Sequence, residues 1–371
     1  AKRYHDTVTF AGRRYDIQVA INGDYFDGRT GYAAGGQIIA GWFVKRFGEY
    51  AGGSGFFWTT DRRCVLGGNV HNADKYQRVL FADKAEMPLN DINGPRKDDA
   101  LVLYTPQYDA HTGTDDSGAE ALVRVDAPVS IMPKSPGVRG RIIAVRRNAG
   151  STPIPFDCIV LSASGTAAGE LLKHARPGQD LHVRLELKDF GNEGTQLPVA
   201  DWHNAWARMG GPKHGGCDGG VPRDWAKEAA ASAARGQTHG SVLKAPRTAI
   251  AYNKNYVYFV VIDGRMEQSV GMTFTEAGQF LLDELDAENA VLQDGGGSST
   301  MWVAGQVKNV PSDRRPDDQP GLLRPVANGW TIALVHPPKF SQTLKPNQKV
   351  QAKTALDLRL GPGANYAAAG K

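Results

Sequence analysis

The sequence has few cysteines and no long apolar run, and both shortages exclude classes of protein. Its 371 residues include three cysteines, Cys64, Cys158 and Cys217, and none of them forms a CxxC pair. A cysteine zinc cage is therefore not expected, whereas one disulfide with a free thiol, or no disulfide, both fit the number. No run of 18 apolar residues occurs, so no membrane-spanning helix is predicted.

Most of the chain also lacks an excess of charge of either sign. The net charge is +4, but residues 337–371 hold six lysines and arginines against Asp357, or +5, which leaves −1 for residues 1–336. A nucleic-acid-binding protein would carry a basic stripe, so nucleic acid is not an expected partner. The basic tail is interpreted as a solvated linker, with contact to an anionic cell-wall polymer as the alternative.

Glycine, in contrast, is abundant. The chain has 44 glycines, about 12% against a usual ~7%, in clusters without a period. This pattern predicts many tight turns and excludes collagen-like and repeat proteins. Hydrophobic residues at 41% and charged residues at 22% are typical of globular proteins. The length predicts one large or two modest domains.

Short apolar runs between glycine and proline breaks predict many strands and few helices. The predicted strands are 16–21, 37–40, 100–105, pieces of 121–147, 157–162, 180–187, 247–253, 256–262, 289–293 and 329–336. Helical composition or periodicity occurs at 225–235 and 274–286. Lys254-Asn255 is a plausible hairpin turn between two of the strands.

The best-defined unit is strand 256–262, helix 274–286 and strand 289–293. A right-handed crossover makes its two strands parallel, so their carboxyl ends lie at one sheet edge. Asp263 and Asp294 follow those ends, and Arg265 is close to the first. Two nearby carboxylates can divide acid and base roles, and an arginine can hold a phosphate. The structural alternative to a catalytic role is that Asp263 caps the loop in a tight turn.

Three glycines and two serines follow Asp294. Gly295, Gly296, Gly297, Ser298 and Ser299 form a flexible surface turn in the simplest interpretation. After a buried strand, however, such a run also suits a backbone that a ligand approaches closely, with free N–H groups for a phosphate or sugar oxygen. No lysine follows, so the run is not a P-loop.

Other candidates have structural alternatives of equal or greater weight. Asn22 and Gly23 form either a hairpin turn or, with Asp24, Tyr25 and Phe26, a sugar-binding wall. Thr273 and Glu276 are interpreted as a capping box, in preference to a catalytic role for Glu276. The weaker candidates are an aromatic platform of Trp202, His203 and Trp206, and metal ligation by His214 and Cys217.

Four segments, in this order, resemble the phosphodiester glycosidase family. They are Ile21–Phe26 (INGDYF), Arg247–Tyr252 (RTAIAY) running on to Val260–Arg265 (VVIDGR), Gly271–Glu276 (GMTFTE) leading into Asp294–Thr300 (DGGGSST), and Arg324–Asn328 (RPVAN). Gly210-Gly211-Pro212 also matches. The resemblance covers residues 15–336 and departs from the family at Asp24, where a small residue is usual, and at Ala251, where glycine is usual.

The resemblance implies an α+β fold with a large mixed or antiparallel β-sheet core and few helices. It also implies hydrolysis of a sugar-1-phosphodiester or a related glycosidic bond. The catalytic candidates are then Asp263, Asp294, Arg247, Arg265 and Asp24, and the sugar-binding candidates are Asn22, Gly23, Gly295, Gly296, Gly297, Ser298, Ser299 and Asn328. No cofactor is required, although a divalent cation is compatible with the three aspartates.

The tail has a resemblance of its own. Residues 355–366 (ALDLRLGPGANY) are similar to the opening of bacterial Src-homology-3-like wall-binding domains. We therefore predict a catalytic domain at 1–338, a linker at 339–349 and the truncated start of such a domain at 350–371. This organisation predicts a secreted or cell-wall-associated bacterial protein.

Three functions remain open at this point. The leading hypothesis is a secreted phosphodiester glycosidase acting on cell-envelope glycans. The second is an exo-acting glycoside hydrolase on wall polysaccharide without phosphate, and the third is a non-catalytic glycan-binding module.

Overall fold

The computed structural model of the chain describes most residues between 16 and 334. The described residues are 16–29, 31–39, 42–46, 55–59, 62–66, 70–71, 77–125, 137–155, 157–185, 188–189, 205–210, 215–334, 358–359 and 368–370.

Strands dominate the described residues. Those before residue 200 are β1 Ile17–Asn22, β2 Gln37–Ile39, β3 Trp42–Lys45, β4 Gly55–Thr59, β5 Cys64–Leu66, β6 Val70–His71, β7 Arg78–Phe81, β8 Glu86–Pro88, β9 Asp91–Ile92, β10 Leu101–Tyr104, β11 Ala119–Val125, β12 Val138–Arg147, β13 Cys158–Ala163, β14 Asp180–Arg184 and β15 Lys188–Asp189. Those after it are β16 Ala205–Gly210, β17 Gly215–Asp218, β18 Val221–Pro222, β19 Arg247–Tyr252, β20 Val257–Ile262, β21 Asn289–Leu292, β22 Met301–Val303, β23 Gln306–Val307, β24 Asp313–Arg314, β25 Pro320–Leu322, β26 Gly329–Ala333, β27 Leu358–Arg359 and β28 Ala368–Gly370.

Helices are few. The α-helices in the described part of the chain are α1 Gly165–His174, α2 Ala226–Ala233 and α3 Phe274–Leu285, and single 3-10 turns occur at Gly240–Val242 and Gly296–Ser298. The longest, α3, begins at the predicted capping box. The Thr273 hydroxyl accepts from the Glu276 N–H, and the Glu276 carboxylate accepts from the Thr273 N–H. The capping role predicted for Glu276 is confirmed.

The chain divides into two compact units. Unit 1 comprises residues 1–37, 47–71 and 189–336, and unit 2 comprises residues 38–46, 72–188 and 337–371. Unit 2 contains an eight-stranded sheet in the order β8-β7-β14-β12-β11-β13-β10-β9. Its pairs are antiparallel apart from the β10–β9 pair.

Unit 1 is built on a five-stranded sheet in the order β18-β17-β21-β19-β20. Helix α3 packs on one face, where Phe274, Ala277 and Leu281 meet small residues of the sheet such as Ala249 and Ala290. The opposite face carries a second core that includes Ile21, Phe56, Ile250, Val291 and Trp330, from β1, β4, β19, β21 and β26. A helix and further strands therefore cover the two sides of the sheet, and its edges are left for loops.

The predicted α+β class, with a large mostly antiparallel sheet core and few helices, is confirmed. The predicted Lys254-Asn255 turn also joins two antiparallel strands, since Tyr252 pairs with Val257. Helix α1 was not predicted. No helix among the described residues is long and apolar enough to cross a membrane.

Two predictions about the ends and the thiols have different outcomes. All three cysteines are free, so of the two alternatives left open by their number the absence of a disulfide is correct. The predicted linker at 339–349 lies outside the described residues. In the tail only β27 and β28 are described, as an antiparallel pair, so the domain boundaries and the Src-homology-3-like start stay predictions.

Candidate active site

The candidate site lies at one edge of the five-stranded sheet of unit 1. Strand β19 is antiparallel to both β20 and β21, so those two strands are parallel to each other. The predicted parallel direction of β20 and β21 is correct, but the two strands are not neighbours, because β19 lies between them. Arg247, the first residue of β19, is paired with Ile262, and the Gln293 N–H donates to Thr248 O at 2.8 Å. Asp263, Arg247 and Asp294 thus follow one another along this edge.

The glycine loop after β21 is shaped by close contacts. Gly296 has a φ of +62°, in the region that favours glycine. Its N–H donates to Pro246 O at 3.0 Å. A Cβ at Gly297 would overlap the Asp313 carboxylate and the Arg324 guanidinium. The loop is therefore a closely packed turn whose glycines allow charged side chains to approach the backbone, and it is not a surface turn, since Gly297 and Ser298 are buried.

Each glycine of this loop faces a different arginine. The position of a Cβ on Gly295 lies 3.8 Å from Arg247 Nη1, and that on Gly296 lies 3.1 Å from both terminal nitrogens of Arg265. Gly297 faces Arg324. Three guanidinium groups therefore lie against this turn, and that of Arg324 is also paired with Asp313.

Arg247 is buried, and most of its hydrogen-bonding groups are occupied. Nε donates to Met272 O at 2.7 Å, and Nη2 donates to Gly240 O at 3.1 Å and to Leu243 O. The guanidinium stacks over the Phe274 ring at 4.4 Å. Burial is the main cause that lowers the Arg247 pKa, to about 10, so the group stays charged at neutral pH. Nη1 is the nitrogen that faces the loop.

Arg265 differs from Arg247 because it is exposed. It has a left-handed backbone, with a φ of +60°. Its side chain makes no hydrogen bond or ion pair with any described residue, although it lies against Gly296. An exposed arginine held beside a glycine backbone is well placed to bind an anionic group.

Arg324 is the arginine that acts on the Asp294 carboxylate. Its Nε and Nη2 donate to the two carboxylate oxygens of Asp313, both at 2.7 Å. Its Nη1 donates to Ser298 Oγ at 3.4 Å. The Ser298 hydroxyl in turn donates to Asp294, and its hydrogen bond holds down a pKa that burial raises. Asp313, Arg324, Ser298 and Asp294 form one chain of polar contacts.

The carboxylate that interacts electrostatically with Asp294 is Asp24. Asp24 is 3% exposed, and its pKa is raised to about 7, chiefly by burial and further by the charge of Asp294. Tyr25 lies near both acids, and burial and these charges raise its pKa to about 12, so it stays protonated. The two acids therefore have different environments, because only Asp294 receives the Ser298 hydrogen bond and the charge of Arg324.

Asp263 is at the predicted edge, but its carboxylate has other contacts. Oδ1 accepts from Asn309 Nδ2 at 3.0 Å, and both oxygens accept from the Val310 N–H at 3.2 and 3.1 Å. Asn309 also donates to Ser299 O at 3.0 Å. Asp263 thus holds the 309–310 loop against the glycine turn. These contacts suit a positioning role for Asp263, whereas its role as an acid, a base or a metal ligand stays a prediction.

Asn22 links three parts of the site and has no group left for a ligand. Its Nδ2 donates to Asp294 O at 2.7 Å and to Gly23 O at 3.2 Å. Its Oδ1 accepts from Thr248 Oγ1 at 2.7 Å and from the Thr300 N–H at 3.1 Å. Two donors and two acceptor positions are the capacity of an amide. Neither the predicted hairpin turn nor direct sugar binding describes Asn22.

Backbone hydrogen bonds of Gly23 connect Asp294 to Asn328. The Asp294 N–H donates to Gly23 O, and the Gly23 N–H donates to Asn328 O, both at 3.0 Å. The Asn328 side-chain amide and Ser299 Oγ are buried and have no hydrogen-bond partner within the described ranges. Buried polar groups without partners require an explanation, and these three atoms are suited to ligand hydroxyls.

Sequence reasoning missed Asp313 and the role of Arg324. Arg324 lies within the 324–328 segment that resembles the family, and this was a signal of its role, whereas no local pattern marks Asp313.

The weaker candidates have different locations. Cys217 is buried in the core beneath α3, Trp206 lies in β16, and Trp202, His203 and His214 lie outside the described residues. Where the structure describes the chain, it contains no cluster of three or more histidine, cysteine or acidic residues suited to a metal. The divalent cation stays an untested prediction.

Carboxylates beside arginines, at the edge of a covered sheet, define a candidate active site. Comparison with known proteins agrees. Residues 217–333 match the family model described as phosphodiester glycosidase. The bovine N-acetylglucosamine-1-phosphodiester alpha-N-acetylglucosaminidase is 35% identical over 94 residues, which are 25% of this chain and 17% of the bovine protein. The human enzyme of that name is 36% identical over the same extent. The resemblance to the phosphodiester glycosidase family is thereby confirmed.

Solved structures support the fold over a larger part of the chain. A Burkholderia pseudomallei protein described as exported is 22% identical, with a TM-score of 0.59 over 88% of this chain and 67% of that one. A hypothetical protein from Synechocystis is 19% identical, with a TM-score of 0.55 over 81% of this chain and 50% of that one. At these identities the similarity is one of fold.

Proposed function

We propose that unit 1 hydrolyses a sugar-1-phosphodiester or a related glycosidic bond in cell-envelope glycans, in an exported protein. The observation that carries this proposal is the Asp24–Asp294 pair beside Arg247 and Arg265. The family similarity supports the bond type. The similarity to a protein described as exported and the resemblance of residues 355–366 to wall-binding domains support the location.

The arginines would bind the phosphate. Arg247 Nη1 and the exposed guanidinium of Arg265 both face the glycine turn, and no ion pair with a described acid neutralises either group. Arg324, in contrast, is engaged by Asp313. A phosphodiester seated between Arg247 and Arg265 would be neutralised as its ester bond to the sugar breaks.

The acids would act on the sugar side of the bond. Asp24 is substantially protonated near pH 7 and can donate its proton to the departing oxygen. Asp294, supported by Ser298 and Arg324, can accept a proton from the attacking water. The C1–O bond breaks, water supplies the new C1 hydroxyl, and the products are a free sugar and a phosphomonoester. The Asn328 amide and Ser299 Oγ would bind sugar hydroxyls.

The test is product analysis with a panel of nucleotide sugars and wall teichoic fragments, with and without a chelator. We expect free sugar and a phosphomonoester in equal amounts from the wild type, and neither from a folded Asp294→Asn variant. Release of sugar without phosphate would support the exo-glycoside hydrolase instead. Binding without turnover, unchanged by Asp24→Asn and Asp294→Asn together, would support the glycan-binding module.

A further inference from the structure

Unit 2 carries an open groove of about 590 Å³ over four neighbouring strands of its eight-stranded sheet, β7, β14, β12 and β11. The charged and imidazole side chains that line it are Arg124, Arg139, Arg141, Asp180 and His182. The phosphodiester glycosidase match starts at residue 217, so the groove lies outside the part of the chain to which that family assigns an activity.

The alternation of β12 explains why this face is basic. Val138, Gly140 and Ile142 point to the core, and Arg139 and Arg141 between them are exposed. Residues two apart on a strand lie on the same face, about 7 Å from one another. The strand therefore presents two guanidinium groups in a row instead of a single basic pocket.

The register brings another arginine and a histidine into neighbouring positions. Arg141 is paired with Arg124 on β11, and Arg139 is paired with His182 on β14. Like charges directly opposite one another on a sheet are unfavourable. An anion bound between Arg124 and Arg141 would relieve this repulsion.

The acids near the groove neutralise it only in part. Arg141 Nε lies 2.8 Å from Asp180 and Arg124 Nε lies 3.4 Å from Asp157, and all four side chains are between 44% and 71% exposed. Ion pairs this exposed are weak and are readily exchanged for another anion. Arg139 makes no ion pair or side-chain hydrogen bond with any residue that the structure describes.

The row of charges favours a repeating anion, and the lining indicates which kind. The rings among the lining residues are Phe81, which is 5% exposed, and the imidazole of the half-buried His182. Single-stranded nucleic acids are usually held by several bases stacked on exposed aromatic rings, and the groove presents no exposed Phe, Tyr or Trp ring. A glycan chain with phosphodiester links needs only the guanidinium groups.

We propose that this groove binds a polyanionic glycan chain whose repeats carry phosphodiester groups. The choice of this polymer rests on the proposed function of unit 1, because a polymer bound here would be of the same class as the substrate. Arg141 and Arg124 together bind one phosphate and Arg139 binds the next, through charge-assisted hydrogen bonds.

The experiment measures binding of the full chain to glycosylated poly(ribitol phosphate) at several salt concentrations. Asp294→Asn is the parent protein, so that the polymer is not degraded. Arg139→Gln is compared with Arg147→Gln, a matched control, because Arg147 is exposed on the same strand but does not line the groove. Neutral dextran and single-stranded DNA of similar length are the comparison ligands.

We expect salt-dependent binding to the poly(ribitol phosphate). Arg139→Gln weakens it roughly fivefold and lowers the slope of log affinity against log salt by about one. Arg147→Gln changes neither quantity, and dextran does not bind. Equal losses in the two variants, no loss in Arg139→Gln, or tighter binding of DNA would each overturn the proposal.

Failure of this proposal is distinguishable from failure of the proposed function. Hydrolysis is measured separately, with a small sugar-1-phosphodiester that is too short to span a row of phosphates. For this measurement Arg139→Gln and Arg147→Gln are made in the chain that retains Asp294, and both are expected to hydrolyse the small substrate at the wild-type rate. Polymer binding is measured without turnover, so an inactive unit 1 does not change its result.

Discussion

The guanidinium of Arg324 binds both carboxylate oxygens of Asp313 at 2.7 Å, and this pair reaches Asp294 through the Ser298 hydroxyl. Ser298 is fully buried. The arrangement keeps the serine proton directed at Asp294, because the serine oxygen already accepts from Arg324. Arg324 and Asp313 are therefore positioning residues for the carboxylate that we assign as the base.

Asp313→Asn should shift the pH dependence of the reaction. The substitution removes a negative charge and leaves the positive charge of Arg324 unneutralised near Asp294, so the Asp294 pKa falls. The acid limb of kcat/KM should move to lower pH. Asp318→Asn is the control, because Asp318 forms an exposed ion pair with Arg314 in the same loop. An unchanged acid limb in Asp313→Asn would remove the positioning role.

Gly297→Ala tests the close approach at the loop. The added methyl group would overlap Asp313 and Arg324, so the pair must separate or the turn must move. We expect kcat to fall about 100-fold or more while the far-ultraviolet circular dichroism stays unchanged. Gly28→Ala is the matched control, since a Cβ there meets no atom within 4 Å. Wild-type kcat in a folded Gly297→Ala protein would show that the pair is dispensable.

Asp24→Asn should stabilise unit 1 at alkaline pH. The Asp24 pKa is about 7 in the folded chain against 3.8 as the ordinary value. The folded state therefore retains a proton that the unfolded state releases, and this contribution to stability is full below pH ~4 and is lost as the pH rises to ~7. The loss is on the order of 4 kcal/mol.

The measurement is the free energy of unfolding from denaturant titrations between pH 4 and 8. The wild type should lose stability relative to Asp24→Asn as the pH rises, and above pH 7 the variant should be the more stable protein. Parallel pH curves for the two proteins would mean that Asp24 titrates normally.

Arg265→Ala should separate phosphate recognition from the chemistry of the sugar. Arg265 is exposed and has no described partner, so its removal should leave the fold intact. KM for a sugar-1-phosphodiester should rise about tenfold, with little change for an uncharged aryl glycoside of the same sugar. An equal effect on both substrates would assign Arg265 to general positioning.

Local patterns in the sequence predicted much of this site. The strands around β19, the capping box of α3 and the parallel direction of β20 and β21 all follow from periodicity, caps and crossover handedness. The glycine turn, Arg247 and Arg265 were predicted to be part of the site, although their roles are still to be tested.

What could not be predicted depends on contacts between distant residues. Asp263 is engaged by Asn309 and Val310, more than 40 positions away, and no local pattern indicates this. Asn22 is saturated by groups from Thr248, Asp294 and Thr300. The sequence pattern paired Asp294 with Asp263, whereas in the structure the acid that interacts with Asp294 is Asp24. The strand character of β1 can be derived from its residues, but its position in space cannot.

The identity of the reactive pair can be tested by one comparison, that of kcat/KM for a sugar-1-phosphodiester in Asp24→Asn, Asp294→Asn and Asp263→Asn. A catalytic Asp24–Asp294 pair predicts losses of about 100-fold or more in the first two variants. It predicts less than about tenfold in the third, since an asparagine oxygen can still accept from the Val310 N–H. Full activity in Asp24→Asn or Asp294→Asn, together with an inactive but folded Asp263→Asn, would contradict the assignment.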